Sequence, residues 1–413
     1  MAMNSNAAAA NSLLSAEAVR TRAQRMLALG LDGRLPHFSI DLSKLDATAE
    51  LVIAMTRKAY PSLDVPFHSR WRHFVFDGVN RFAAIAKTAN WTDRAAQARA
   101  AFDLAIVSVL LDAGAGAQWR YHDRVTGKQI GRSEGLALAS LDMFECGAFS
   151  SDPKDPLRVD ASVLAQLSAE QLASGFQVTP DNPLVSLEGR ATLLRALGAL
   201  IAENPSMFAR NDSARPGGLF DHLAGLSDDR TIAAPDILSE LLHELGSIWP
   251  SRITLGGVAL GDCWRHPAMT TDDATSGILP IHKLSQWLSY SLIEPLQDAG
   301  ITVTNVDGLT GLAEYRNGGL FVDTGLLVLR DPDDAARAHD VGSTLVVEWR
   351  ALTVALLDRL GGVVRDKLNM DALELPLAKI LEGGTWATGR ALANERRAGG
   401  VPPIQVTGDG TVF

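Results

Sequence analysis

Leu13 to Leu31, Ala49 to Tyr60, Arg94 to Leu111 and Ser186 to Glu203 carry apolar residues three and four positions apart, with Glu, Arg or Lys on the opposite face. That spacing predicts amphipathic helices. Two further helices carry start signals: Pro235 ahead of Ile237 to Ile248, and Ser343 ahead of Leu345 to Leu360. Leu279 to Ala299 reads the same way, with Gly300 as its stop. Strand signals are short: Phe38 to Leu42, Trp119 to Ile130 around a Thr126-Gly127 turn, Ile301 to Val306, and Leu320 to Leu329. They do not alternate with helices as βαβ units would, so the expected fold is mainly α with small β hairpins. The polar stretches Ser150 to Pro156 and Asn204 to Pro216 suggest a division. We expect a disordered tail over 1–12, a helical region over 13–150 that contributes to a cleft, a helical insert or linker over 151–235, and a C-terminal region over 236–413.

Composition narrows the function. With 413 residues, 46% of them hydrophobic and 21% charged, the chain has enough apolar material for a large core. Its 38 Lys and Arg against 48 Asp and Glu give a formal charge of -10, the wrong sign for a nucleic-acid or anionic-membrane protein. Cys146 and Cys263 are too few for a disulfide framework, and no secretory leader opens the chain, so a reducing cytoplasm is expected. The longest apolar stretches, such as Ala105 to Leu111, are far short of a bilayer span.

The common phosphate and metal signatures are missing. No Walker A and no GxGxxG follows a predicted strand. Asp272-Asp273-Ala274-Thr275-Ser276-Gly277 resembles the acidic loop of phosphoribosyltransferases but follows Met269-Thr270-Thr271 rather than an apolar strand. Cys263-Trp264-Arg265-His266 spaces two ligand-type atoms three residues apart without the partner pair zinc requires, and His243-Glu244 lacks the second His of a helical zinc motif. Gly114 and Gly116 read as a helix end and turn. No metal and no cofactor is expected.

Polar residues that interrupt apolar segments are more informative, because a buried charge is costly unless paired or used. Four clusters stand out. His68-Ser69-Arg70-Trp71-Arg72-His73-Phe74 offers two guanidinium groups, two imidazoles and two rings, enough to clamp a phosphate and stack a planar group, or to form a solvated helix start over a buried Trp71. Ile281-His282-Lys283-Leu284-Ser285-Gln286-Trp287 sets Lys283 among apolar neighbours at a helix start, where a cation is unfavourable without a reason. In Asp307-Gly308-Leu309-Thr310-Gly311-Leu312-Ala313-Glu314-Tyr315-Arg316, Glu314 and Arg316 flank Tyr315 just before Gly318-Gly319. Glu348-Trp349-Arg350, inside an apolar helix, suggests a buried ion pair.

The motifs Arg70-Trp71-Arg72-His73-Phe74, Asp112-Ala113-Gly114-Ala115-Gly116, Ser140-Leu141-Asp142-Met143-Phe144, Trp249-Pro250-Ser251-Arg252, Trp264-Arg265-His266-Pro267, His282-Lys283-Leu284-Ser285-Gln286-Trp287, Glu382-Gly383-Gly384-Thr385-Trp386 and Asp409-Gly410-Thr411-Val412-Phe413 resemble the uracil-catabolism URC-pathway protein family. The resemblance runs from about residue 20 onward. It implies a place in a pyrimidine route in which uracil becomes UMP, the ring is opened and a ribosylurea species forms. Lys283 to Gln286, Leu309 to Arg316, Gly325-Leu326-Leu327 and Ser343 to Arg350 are also similar, in order and spacing, to the queuosine-5'-phosphate N-glycosylase family. That likeness covers the last third of the chain. It implies a DNA-glycosylase-like helical fold in the C-terminal half, with a Lys and a carboxylate at Lys283 and Glu314. Here the carboxylate is Glu rather than Asp, and the interval is one residue shorter.

Together these point to an enzyme that breaks a ribosyl C–N bond. The developing oxocarbenium charge suits a carboxylate that also aligns or deprotonates water, and a poor leaving group such as urea calls for an acid. Glu314 is assigned to sugar and water, and Lys283 to electrostatic positioning. Arg70, Arg72 and Arg316 are phosphate candidates; Asp307, Asp323 and Asp409 are candidates for ribose hydroxyls or urea nitrogens, each with a turn or capping role as its alternative, and Trp71, His73, Trp264, Arg265, His282 and Tyr315 complete the substrate-binding set. The expected partners are a small nucleotide-like substrate and other uracil-catabolism enzymes. The rival readings are a uracil phosphoribosyltransferase using Asp272 and Asp273, and a non-catalytic carrier or scaffold of the same pathway.

Overall fold

Helix starts in this chain are set by side chains that accept the first orphan backbone N–H groups. Ser15 accepts from Ala18 N, Asp93 from Ala96 N and Ser343 from Val346 N. The computed structural model describes residues 5–210, 213–249 and 252–407. Among them, the helices of nine or more residues are α1 (Ala16–Leu31), α2 (Leu45–Ala59), α3 (Arg94–Leu110), α4 (Arg132–Glu145), α5 (Leu187–Glu203), α6 (Ala234–Glu244), α7 (Lys283–Asp298), α8 (Tyr315–Asp323), α9 (Thr344–Leu368) and α10 (Trp386–Arg396). The strands are two or three residues long and pair only in twos, so the fold is mainly α with small β hairpins. No described helix is long and apolar enough to cross a membrane.

The chain divides into two units whose segments interleave. The first takes the described residues of Met1–His68, Ser251–Gln286 and Asn305–Gly408; the second takes those of Ser69–Pro250 and Trp287–Thr304. Both polar stretches that suggested a division, near residues 150 and 210, fall inside the second unit.

In the first unit α9 is the centre. Its apolar residues run all round the helix, from Leu345 to Val364, as expected of a helix covered on every side. It packs on α1, α2 and α8, and α8 packs on α10. Phe38–Ile40 pairs antiparallel with Leu327–Leu329, and Cys263–Arg265 with Ile278–Pro280. The second unit is built on α3 and α4, both buried along most of their length, with α5 and the remainder of α7. The hairpin Tyr121–His122 with Gln129–Ile130 lies where the turn signal predicts it, and Thr302–Thr304 pairs in parallel with Thr231–Ala233.

Four expectations need correction. The Ala/Asn-rich opening is helical over Ser5–Asn11, with Ala10 buried, rather than a disordered tail. Leu320 to Leu329 is not one strand: α8 runs to Asp323 and only Leu327–Leu329 is extended. The helix expected from Leu279 starts at Lys283, because Ile278–Pro280 is held in a strand pair and His282 takes a left-handed φ of 48°. Gly300, at φ 82°, ends it as anticipated. Finally, Glu348 and Arg350 do not pair, since residues two apart on a helix point in different directions. Glu348 accepts from the N–H groups of His37 and Phe38, and Arg350 binds Asp262.

Candidate functional site

The segment Leu309 to Glu314 delivers a carboxylate to the start of α8. Glu314 is the N-cap: its oxygens accept from Arg316 N at 2.8 Å and from Asn317 N. Burial raises its pKa above the ordinary carboxylate value; the two N–H donors and the charges of Lys283 and His68 act in the opposite sense but do not cancel it. Lys283 and Glu314 lie in the same unit, and the Lys283 charge is among those that favour the ionised carboxylate. Gln286, one turn after Lys283 on α7, accepts from Thr310 N at 3.2 Å and ties that helix start to the loop before Glu314. Its Nε2 is buried without a hydrogen-bond partner. On the other side Asn317 donates to Leu312 O and accepts from Thr385 Oγ1.

Asp262 explains why a lysine can open α7. Its Oδ2 accepts from Lys283 N at 2.9 Å, while both oxygens take Arg350 in a two-point ion pair at 2.9 Å and Oδ1 accepts from Trp264 Nε1 at 2.6 Å. Burial opposes ionisation of Asp262, but Arg350 and these donors outweigh it and hold the pKa below the ordinary value. A fixed carboxylate at a helix N-terminus offsets the unfavourable placing of a cation there. Trp264 is covered by the Arg252 guanidinium at 4.5 Å and His282 is buried with Nε2 3.0 Å from Leu13 O. These two predicted residues are thus support for the start of α7. Arg265, next to Trp264, is exposed.

The arginine-rich segment Arg70–Phe74 forms a 3₁₀ turn in the second unit. Arg70 is fully buried, donating to Asp112 at 2.7 Å, Ser108 at 2.7 Å and Ser133 O at 3.2 Å. Arg72 faces both oxygens of Glu294 at 2.6 Å, Trp71 donates to Ser291 O, and His73 stands edge-on to Trp287. Both guanidinium groups of this segment are engaged by carboxylates. Lys283 and Glu314 belong to the other unit.

The remaining predicted residues are largely committed to internal contacts. Asp307 accepts from Leu377 N and pairs with Arg365; Asp323 is gripped by Arg397 at 2.6 and 2.7 Å. Arg316 lies over Tyr315 at 4.9 Å and donates to Gly400 O, with its buried Nε lacking a partner. Asp409 lies outside the described residues. Asp273, central to the transferase alternative, is taken up by Thr271 and Thr275 of its own loop.

Three contributors were missed as site residues: Asp262, His68 and Glu382. His68 Nδ1 sits 2.7 Å from Glu382 Oε2, and Tyr60 donates to Glu382 Oε1 at 3.2 Å. Glu382 lies on a π-helical turn, Leu381–Thr385. The one signal for it is the motif Glu382-Gly383-Gly384-Thr385-Trp386. A Cβ on Gly384 would come within 2.5 Å of Val52, so α2 approaches that turn at backbone distance. Chemically, the first unit offers a carboxylate that burial makes reluctant to ionise, an ammonium group at a helix start and a carboxylate-bound imidazole, a set suited to proton transfer and to stabilising positive charge.

A mainly helical protein with this half-buried cluster of acid-base side chains is the class the structure defines; sequence comparison gives the family. A family model described as "Protein of unknown function (DUF1688)" matches residues 12–413. The chain is 40% identical over 412 residues to Protein urg3 of Schizosaccharomyces pombe, covering 97% of this chain and 98% of that protein. It is 37% identical over 416 residues to Uracil catabolism protein 4 of Lachancea kluyveri, covering 92% and 93%. The chain belongs to the DUF1688 family, the one to which its separated motifs pointed.

Proposed function

We propose that the protein acts in uracil breakdown and hydrolyses the N-ribosyl bond of a ring-opened uridine nucleotide such as ribosylurea 5'-phosphate, giving urea and ribose 5-phosphate. The observation that carries this reading is the tie between two helix starts, Thr310 N donating to Gln286 one turn after Lys283 and Glu314 capping the helix that follows, with burial making the Glu314 carboxylate reluctant to ionise. The name of the Lachancea relative supports the pathway. In the reaction, Glu314 accepts a proton from the attacking water and its negative charge stabilises the sugar cation as the C1'–N bond breaks. Lys283 favours the ionised form of Glu314 against the cost of burial, keeping it basic enough to act.

The test is to incubate the pure protein with ribosylurea 5'-phosphate, and separately with UMP with and without diphosphate, and to quantify urea, ribose 5-phosphate and uracil. Equal amounts of urea and ribose 5-phosphate are expected, independent of diphosphate. Uracil formed only with diphosphate would replace this reading with phosphoribosyl transfer. Tight binding of ribosylurea 5'-phosphate with no product would replace it with a carrier role.

A further inference from the structure

The expulsion of urea from a sugar needs a proton as well as a base, and Glu314 cannot give and take one in the same step. The residues beside it contain a second acid-base unit. His68 is pinned by its main chain, whose N–H donates to Ala378 O at 2.9 Å, and by its ring, whose Nδ1 meets Glu382 at 2.7 Å. Glu382 is itself fixed by Tyr60 and by the π turn on which it stands. Such turns cost regular helix bonding and recur at functional sites. Gly383 and Gly384 let that turn press onto Thr56 and Val52 of α2, the helix that Tyr60 caps. The same π turn is tied to the Glu314 cap, since Thr385 Oγ1 donates to Asn317 Oδ1 at 2.9 Å and Asn317 N donates to the Glu314 carboxylate.

We infer that His68, oriented by Glu382 and Tyr60, is the general acid that protonates the departing nitrogen, an assignment that rests on the N-ribosyl hydrolysis proposed above. With Nδ1–H bonded to Glu382, the ring's other nitrogen, Nε2, carries the transferable proton. The water oxygen forms the new bond to C1' and passes a proton to Glu314. The C1'–N electron pair stays with the urea nitrogen, which takes the proton from Nε2. The proton on Glu314 then leaves through solvent and another returns to His68, so the cycle consumes one water and no other reagent. Glu382 on the π turn meets the imidazole and Tyr60 at the end of α2 meets Glu382, while Glu314 caps α8, the helix start tied to that turn. Glu382 and Tyr60 are positioning residues.

Leaving-group dependence tests this. His68→Gln and Glu314→Gln are assayed on ribosylurea 5'-phosphate and on 4-nitrophenyl riboside 5'-phosphate, whose leaving group departs as an anion without a proton. His68→Gln is expected to lose on the order of 10²-fold or more in kcat on the urea substrate with little change in KM, yet to stay within a few-fold of wild type on the nitrophenyl substrate. Glu314→Gln loses kcat on both. Glu382→Gln follows the His68 pattern to a smaller extent, and Glu382→Asp recovers part of it. Equal losses on both substrates for His68→Gln, including any caused by poorer folding, would overturn the acid assignment while leaving hydrolysis intact. If wild type cleaves neither substrate, the hydrolytic reading falls and this assignment falls with it.

Discussion

Asp262, buried, and Glu314, half-buried, are two acidic groups of the same unit; burial opposes the ionisation of both, and they respond in opposite ways. Asp262 is matched by a two-point guanidinium, an indole N–H and a main-chain N–H, and its pKa falls. Glu314 has two main-chain donors, which do not offset the effect of burial, and its pKa rises. Burial alone does not decide the state of a carboxylate; the number and charge of its donors do. The fully compensated group builds structure, and the under-compensated one keeps the capacity to exchange a proton.

The largest effect expected from breaking this contrast is at Asp262. Asp262→Asn leaves Arg350 facing a neutral amide in the core and withdraws charge from the start of α7, so we expect a loss of about 3–5 kcal/mol in urea unfolding. A loss near zero would mean that the ion pair does not hold α7. Next in size is Gly384→Ala, whose new Cβ meets Val52 at 2.5 Å and its carbonyl oxygen at 2.6 Å. Overpacking of this kind costs about 1–3 kcal/mol, and it shifts Glu382, so turnover falls with stability.

The two carboxylates also predict opposite pH dependences. For Asp262, lowered in the fold, the stabilising contribution is present above the unfolded carboxylate range of about 4 and is lost as pH falls through its folded value. For Glu314, raised in the fold, the contribution is present below that range and is lost as pH rises through its folded value. Glu314→Gln should therefore gain stability relative to wild type as pH is raised from 4 to 7, read from unfolding midpoints at each pH; a relative loss over that window contradicts the assignment. The smallest effect belongs to Arg265→Ala, an exposed position beside the buried Trp264, which should change stability by no more than about 0.5 kcal/mol. A larger change in ligand affinity there would mark Arg265 as a binding residue.

Much of the helical frame was legible because its signals are local: Ser343 caps α9 and Gly300 stops α7 within a few residues of where the pattern changes. Helix α8 was not, because it opens on Glu314 rather than a common capping residue and contains Gly318-Gly319, which weaken helix propensity. Gly318 is needed there for packing, since a Cβ would lie 2.7 Å from the Trp349 ring. The Lys283 and Glu314 pairing is an expectation from motif order, and the two residues stand at helix starts of the same unit. Asp262 could not be anticipated: its partner Arg350 is 88 residues away, and nothing in Gly261-Asp262-Cys263 marks it as charged core. His68 and Glu382 are 314 residues apart, and their contact is visible only after folding.

The most direct test is the turnover of ribosylurea 5'-phosphate by Glu314→Gln compared with wild type at equal folded fraction. The account predicts a fall in kcat on the order of 10²- to 10⁴-fold, the usual worth of a positioned acid or base, with an unfolding midpoint at pH 7 no lower than that of wild type. A variant that releases urea and ribose 5-phosphate at the wild-type rate would contradict it.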